Sequence, residues 1–236
     1  LMTNTLRLLN ASPHIDLSIC VTGMHLSPAY GLTIHDIEAE HFRICGRITV
    51  DLATTTEISM AKAFGNEVIG FVEVFAQEKP DLVLLLGDRG EMLAGAIAAI
   101  HLNIPIAHIH GGERSGTIDE SIRHAISKLS HYHFTATEES RNRLIQMGEN
   151  PEHIFVTGAP GLDNLHKQIQ FSREDLCHEQ KFDPKAPLGL MIFHPVVQEI
   201  SHIDSQMEAI LTASLEHAFL QLVCYTPNAD AGGHKI

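Results

Sequence analysis

Residues 81–112 read DLVLLLGDRGEMLAGAIAAIHLNIPIAHIHGG. An apolar run at 81–86 breaks at a glycine and is followed by an alanine-rich stretch of helical period. A second apolar run at 104–109 then ends in another glycine turn. Both runs are apolar along their whole length rather than alternating, as suits strands covered on both faces. Strand, helix, strand in about thirty residues is the parallel crossover unit, and it sets the fold class: α/β with parallel sheets.

The same rhythm extends in both directions. Further strand-like runs lie at 16–22, 132–137, 154–157, 188–193 and 220–225. Helical patterns lie at 91–101, 119–129, 138–147 and 199–219, and a long one begins near Thr54 and ends before Pro80. In that long helix Ile58, Ala61, Val68, Val72 and Phe75 are expected to share one face. The stretch between residues 165 and 187 is polar, carries two prolines and interrupts the rhythm. We therefore place a domain boundary there, with a first domain over 1–165 and the start of a second over 166–236. Residues 3–9 read as the end of a helix, and only two strands and one helix follow the boundary, too little for a core of ordinary size. The expectation is a partial chain, lacking the first strand of one domain and most of the other.

The net charge is −13, which disfavours a general nucleic-acid partner. No apolar run reaches about 18 residues, so no membrane-spanning helix is expected. The chain opens without a basic segment leading into an apolar one, so no signal peptide is read. Cys20, Cys45, Cys177 and Cys224 form no CxxC pair, as expected of reduced thiols in a cytoplasmic protein.

Ligands of open α/β sheets bind outside the carboxyl ends of the strands. There this sequence places Asp88, Arg89 and Glu91 after one strand, and His110, Glu113, Arg114, Asp119, Glu120, Arg123 and His124 after the next. His194 follows the strand at 188–193, and Asn228 and Asp230 follow the last. Glycine turns leading into helix N-termini suit phosphate, and Arg89, Arg114 and Arg123 add fork-shaped cations. Beside them Asp88, Glu113, Asp119 and Glu120 supply carboxylates for proton transfer, with His124 and His194 placed to assist. Plainer readings stand beside these. Asp88 with Glu91, and Thr117 with Glu120, have the spacing of helix N-terminal boxes. His108 and His110 would point to one side of a strand, as core residues or as a metal pair. Neither GxxxxGK[ST] nor a GxGxxG after a strand occurs, which disfavours a P-loop nucleotidase and a dinucleotide dehydrogenase.

At GDRGEML (87–93), IPIAHIHGGERSGTIDESIRHAISKLSHYHF (104–134), IFVTGAPGLDNL (154–165), FHPV (193–196) and PNADAG (227–232) the sequence resembles the hydrolysing UDP-N-acetylglucosamine 2-epimerases. VTGMHLSPAYGLT (21–33) fits as well. The resemblance implies a glycosyltransferase-B-like fold of two Rossmann-like domains, acting as a homodimer without metal or redox cofactor. It implies conversion of a UDP-2-acetamido sugar, UDP-N-acetylglucosamine first among them, and water into UDP and the free 2-epimer, for sialic or legionaminic acid synthesis. In the mechanism it implies, UDP leaves, a carboxylate takes the C2 proton to give a glycal, and water adds at C1 as a proton returns to C2. By position, Asp88 and Asp119 resemble the family's catalytic carboxylates. Arg89, His194 and Asn228 resemble UDP-binding positions, with Arg123, His124 and Asp230 beside them. One position departs: where some relatives carry a glutamate (HIEGG, HVEAG), this chain has His110, and the nearest carboxylate is Glu113. Either could take that proton role. The family's GTRADYG-like and GNSSSG segments are absent from the sequence.

The long helix also carries Phe64, Phe71 and Phe75, which are expected to widen its apolar stripe into a dimer surface. Competing readings are a glycosyltransferase of the same fold, a metal-dependent hydrolase using Asp88, His108, His110 and His124, and a nucleotide-binding module without catalysis.

Overall fold

The computed structural model describes residues 2–52, 56–163, 171–194, 197–217 and 219–225. The chain divides into two compact units, Leu1–Asp163 and Asn164–Ile236. The first holds helices α1 (Thr3–Ala11), α2 (Ile34–Ala39), α3 (Glu57–Glu78), α4 (Gly90–His101), α5 (Ile118–Leu129) and α6 (Glu138–Gln146). Its strands are β1 (Ser18–Thr22), β2 (Arg43–Ile48), β3 (Val83–Leu86), β4 (Ile106–Ile109), β5 (Tyr132–Thr135) and β6 (Ile154–Val156). β1 pairs with β2, and β3-β4-β5-β6 form a second ladder; every pairing is parallel. One apolar core joins the two ladders through Ile48, Phe71, Phe75, Val83, Leu85 and Ile106. Helix α4 approaches it closely because its inward residues are small: Ala94, Ala96, Ala98 and Ala99 are all buried.

Helix α3 starts at a reciprocal box in which the Ser59 amide donates to Thr56 Oγ1 (3.2 Å) and the Thr56 amide to Ser59 Oγ (3.0 Å). It ends at Lys79, in the left-handed region, just before Pro80. Its buried face differs from the expected one. Ala63, Glu67, Phe71 and Phe75 face the core at steps of four, whereas Ile58, Ala61 and Val72 face outward with Ile69. Apolar residues flank the buried meridian on both sides, so spacing alone does not select it. Phe71 and Phe75 meet in the core as a tilted ring pair with centroids 5.5 Å apart, and Phe64 packs against it. The three rings therefore form no exposed stripe and lend no support to a dimer surface.

The second unit holds α7 (Arg173–Gln180), β7 (Leu188–Ile192), α8 (Ile203–Leu215) and β8 (Gln221–Tyr225), with β7 and β8 parallel. Three elements were not read from the sequence: the short α2, β2 and α7. Strand β2 (RICGRI) breaks its apolar run with Arg43 and Arg47, which leave the sheet to pair with Glu78 and Glu38. Helix α7 has little apolar pattern and is defined by its Ser172–Asp175 box and the buried Cys177. The helix expected over 199–219 is shorter, running Ile203–Leu215 after a 3₁₀ segment, Val197–His202. Among the described residues the four cysteines are free, and no helix is long and apolar enough to cross a membrane.

Candidate active site

Strands β3 and β4 end side by side, with Leu86 opposite Ile109. The chain leaves β3 through Gly87 and Asp88 and enters α4 at Arg89. It leaves β4 through His110, Gly111, Gly112 and Glu113 and enters α5 at Thr117. Both loops are thereby set on one edge of the sheet.

Arg123, buried on α5, ties them together. Its Nη2 donates to the Asp88 carboxylate, and its Nη1 donates to the Glu113 carbonyl at 2.9 Å. The Asp88 carboxylate is thus engaged by a guanidinium rather than by the α4 N-terminus. The N-cap of α4 is Arg89, which makes no side-chain capping bond. That overturns the plain capping reading of Asp88. Glu91 does not reach back as a box residue either: Arg89 Nε lies 3.3 Å from both of its oxygens.

His110 has φ of +66°, the left-handed region, where a side chain costs about 1–2 kcal/mol. The conformation turns it out of β4. Its amide donates to the Phe134 carbonyl at 2.9 Å, and its Nδ1 lies 3.1 Å from Glu113 Oε1. Gly112 (φ +82°) lies flat on α6, where an added Cβ would collide with the Ser140 carbonyl. Arg143 of α6 donates to the Gly112 carbonyl and, at 2.7 Å, to Glu139. Two arginines from two helices therefore pin the loop that carries His110 and Glu113. Sequence reasoning missed Arg143, since no local pattern marks a residue whose role appears only when α6 packs on a loop thirty residues upstream.

Asp88, His110, Glu113 and Arg123 line one cleft of about 370 Å³, closed on another side by residues 159–162. That wall belongs to the IFVTGAPGLDNL segment, which follows a strand end as the other rim segments do. A smaller hollow of about 270 Å³ lies between β2 and α3 and gathers none of the rim's candidates.

The other expected residues lie elsewhere. Asp119 accepts from Thr117 Oγ1 at 3.0 Å at the start of α5 and does not line the cleft. Thr117 is the N-cap of α5 but makes no side-chain capping bond, while Glu120 accepts from the amides of Ser115 (2.8 Å) and Gly116 (2.7 Å). Those two amides hold the Glu120 carboxyl below its ordinary range. His124, half-buried on α5, has Nε2 3.8 Å from Glu120, and burial lowers its pKa. Arg89 pairs with Glu91 and is not among the residues that line the cleft. His194 is exposed in the second unit, after β7. Asn228 and Asp230 lie outside the described residues.

His108 does not pair with His110. It is wholly buried, its Nε2 donates to the Gly87 carbonyl (2.7 Å), and its Nδ1 lies 3.1 Å from Ser127 Oγ. Burial pushes its pKa down to about 4. Both ring nitrogens serve the core, so the HxH metal reading fails at its first ligand. Among the described residues no three potential ligands converge as a metal would need.

A parallel α/β scaffold with carboxylates, a histidine and arginines around a strand-end cleft defines a Rossmann-like, ligand-binding class of protein. The family described as UDP-N-acetylglucosamine 2-epimerase matches residues 7–236, and the chain belongs to that family. It is 58% identical over all 236 residues to the UDP-N,N'-diacetylbacillosamine 2-epimerase (hydrolyzing) of Legionella pneumophila, and spans 62% of that protein's length. It is 36% identical over 227 residues to the GDP/UDP-N,N'-diacetylbacillosamine 2-epimerase (hydrolyzing) of Campylobacter jejuni, covering 94% of this chain and 58% of that one. The UDP-GlcNAc 2-epimerase of Neisseria meningitidis, solved bound to UDP-GlcNAc, superposes with a TM-score of 0.80 at 20% identity over 99% of this chain and 64% of that one. The glycosyltransferase-B-like fold expected from the sequence is the fold of such structures.

Proposed function

We propose that the protein is a hydrolysing 2-epimerase whose substrate is UDP-N,N'-diacetylbacillosamine, converted with water into UDP and the free 2-epimeric sugar. The Legionella relative's activity and 58% identity favour this substrate over UDP-N-acetylglucosamine, the one first expected. The observation that carries the reading is the cleft itself: Asp88 on one loop, the His110–Glu113 pair on the other, and Arg123 fixing both.

Epimerisation at C2 needs a group to take a proton from one face and a group to return one to the other. The C1–O bond to UDP breaks, the C2 proton goes to a base, and a 2-acetamidoglucal remains. Water then adds at C1, its oxygen forming the new bond, and a proton is delivered to the opposite face of C2. Asp88, oriented by Arg123, is our base. Glu113 accepting from His110 Nδ1–H leaves a lone pair on Nε2, so the pair can exchange a proton with the substrate. In this reading His110 takes the place where relatives carry glutamate, and Glu113 orients it. Asp119 is a second carboxylate close by in the chain. Arg89 is our UDP contact in the first unit, and His194, Asn228 and Asp230 are assigned to UDP by their place in the sequence alone.

The test is product identification without any acceptor. Incubation of the whole protein with UDP-N,N'-diacetylbacillosamine is expected to release UDP and the free 2-epimer in equal amounts, and faster than with UDP-N-acetylglucosamine. A requirement for a sugar acceptor would instead indicate a glycosyltransferase, and loss of turnover on chelation a metal-dependent hydrolase.

A further inference from the structure

We propose that Glu67, a carboxyl buried within α3, is a further positioning residue of this site, setting the local charge against which Arg89 is held for an anionic diphosphate-sugar. The inference rests on the reading of Arg89 as a diphosphate contact.

Glu67 is only 4% exposed, in the middle of the core-facing stripe of α3. Such a position is ordinarily apolar, and a buried carboxyl needs a compensating partner. Thr22, the last residue of β1, lies with Oγ1 3.0 Å from Glu67 Oε1 and 2.8 Å from the Ile48 carbonyl. A hydroxyl has one proton, so that bond alone does not satisfy an ionised carboxylate. The ionisable groups that act on Glu67 are Glu91 and Arg89, at the start of α4. The backbone after β1 closes on the same place: a Cβ on Gly23 would stand 2.8 Å from Glu91 Oε1. Glu67 meets Thr22, the next residue Gly23 lies against Glu91, and Glu91 meets Arg89, so a chain of contacts at the carboxyl ends of β1 and β3 links Glu67 to the residue that follows Asp88.

Burial, with the Glu91 charge behind it, pushes the Glu67 carboxyl up to about 7, against the Thr22 bond and Arg89. Below that pH Glu67 adds no charge beside Arg89 and Glu91. Above it Glu67 adds a negative charge there, which draws Arg89 inward and repels an arriving phosphate. A diphosphate on Arg89 favours the neutral carboxyl, so binding is coupled to proton uptake at Glu67.

Glu67→Gln keeps an acceptor for Thr22 and removes the titration. The test measures UDP affinity of the whole protein and of the variant by calorimetry at two pH values, the ratio cancelling the ionisation of UDP itself. The expected ratio is near one at about pH 6, with the variant binding about 3–10-fold more tightly at about pH 8.5, the scale of one partly screened charge. A ratio that does not change with pH overturns the inference. Arg89→Ala is the control: if it leaves UDP affinity unchanged, the diphosphate reading fails, whereas weakened binding with a flat Glu67→Gln ratio removes only the role of Glu67. Should Glu67→Gln not fold, Glu91→Gln is expected to move the pH midpoint of UDP binding downward, and an unmoved midpoint overturns the inference equally. A purely structural Glu67 would show only in stability. With its folded pKa raised, its stabilising contribution is full below the ordinary carboxylate range and is lost as pH rises through about 7. That loss alone does not alter the affinity ratio.

Discussion

Replacing Asp88 by asparagine is expected to lower kcat by about 10²–10⁴-fold while changing UDP affinity little. The substitution keeps the side chain's shape and one acceptor for Arg123, so the loop after β3 should hold its place. What it removes is the group able to take and return a proton beside C2. The carboxylate lies in the cleft with His110 and Glu113, and its partner is a guanidinium, not the amides of α4. A conservative change there should therefore be read in turnover more than in melting. Near-normal turnover by stopped assay of UDP release would mean that Asp88 only balances the charge of Arg123.

Arg123→Ala is expected to have the largest effect on stability, about 2–4 kcal/mol in denaturant unfolding of the whole protein, if that unfolding is two-state. The buried guanidinium answers a carboxylate and a backbone carbonyl at once, and its removal leaves both to find water. Asp88 is only half-buried and can hydrate in part, which keeps the cost below that of a fully enclosed pair. Arg123→Lys should recover part of the loss, since a single ammonium cannot serve both acceptors in the geometry of the fork. The two sites are in contact, so Asp88→Asn and Arg123→Ala should not add. Full additivity of the two unfolding energies would show that the pair contributes no coupling.

The sheet was legible because β3, β4 and β6 are largely apolar runs at regular spacing, although only β4 is buried along its whole length and β5 carries His133 and Thr135. Strand β2 escaped because Arg43 and Arg47 reach off the sheet to acids on neighbouring elements, an arrangement invisible without the third dimension. The face of α3 was misjudged because a glutamate sits in its buried stripe. Glu67 between Ala63 and Phe71 at steps of four was the available signal, since a carboxyl at the centre of an apolar meridian calls for a reason. In the cleft, Asp88, His110, Glu113 and Arg123 could be nominated because they follow strand ends, where backbone direction alone brings them together. The same rule gathered Asp119 and His124, which the rotation of α5 carries out of the cleft's lining. Arg143 follows no strand end and could not be found that way.

The central claim is that the C2–H bond is broken and remade from solvent. The reaction run in deuterated water, with the free 2-epimer analysed by proton NMR, tests it most directly. The account predicts deuterium at C2 of essentially every product molecule, with Asp88→Asn slowing its appearance in step with UDP release. A 2-epimer that retains protium at C2 would contradict it.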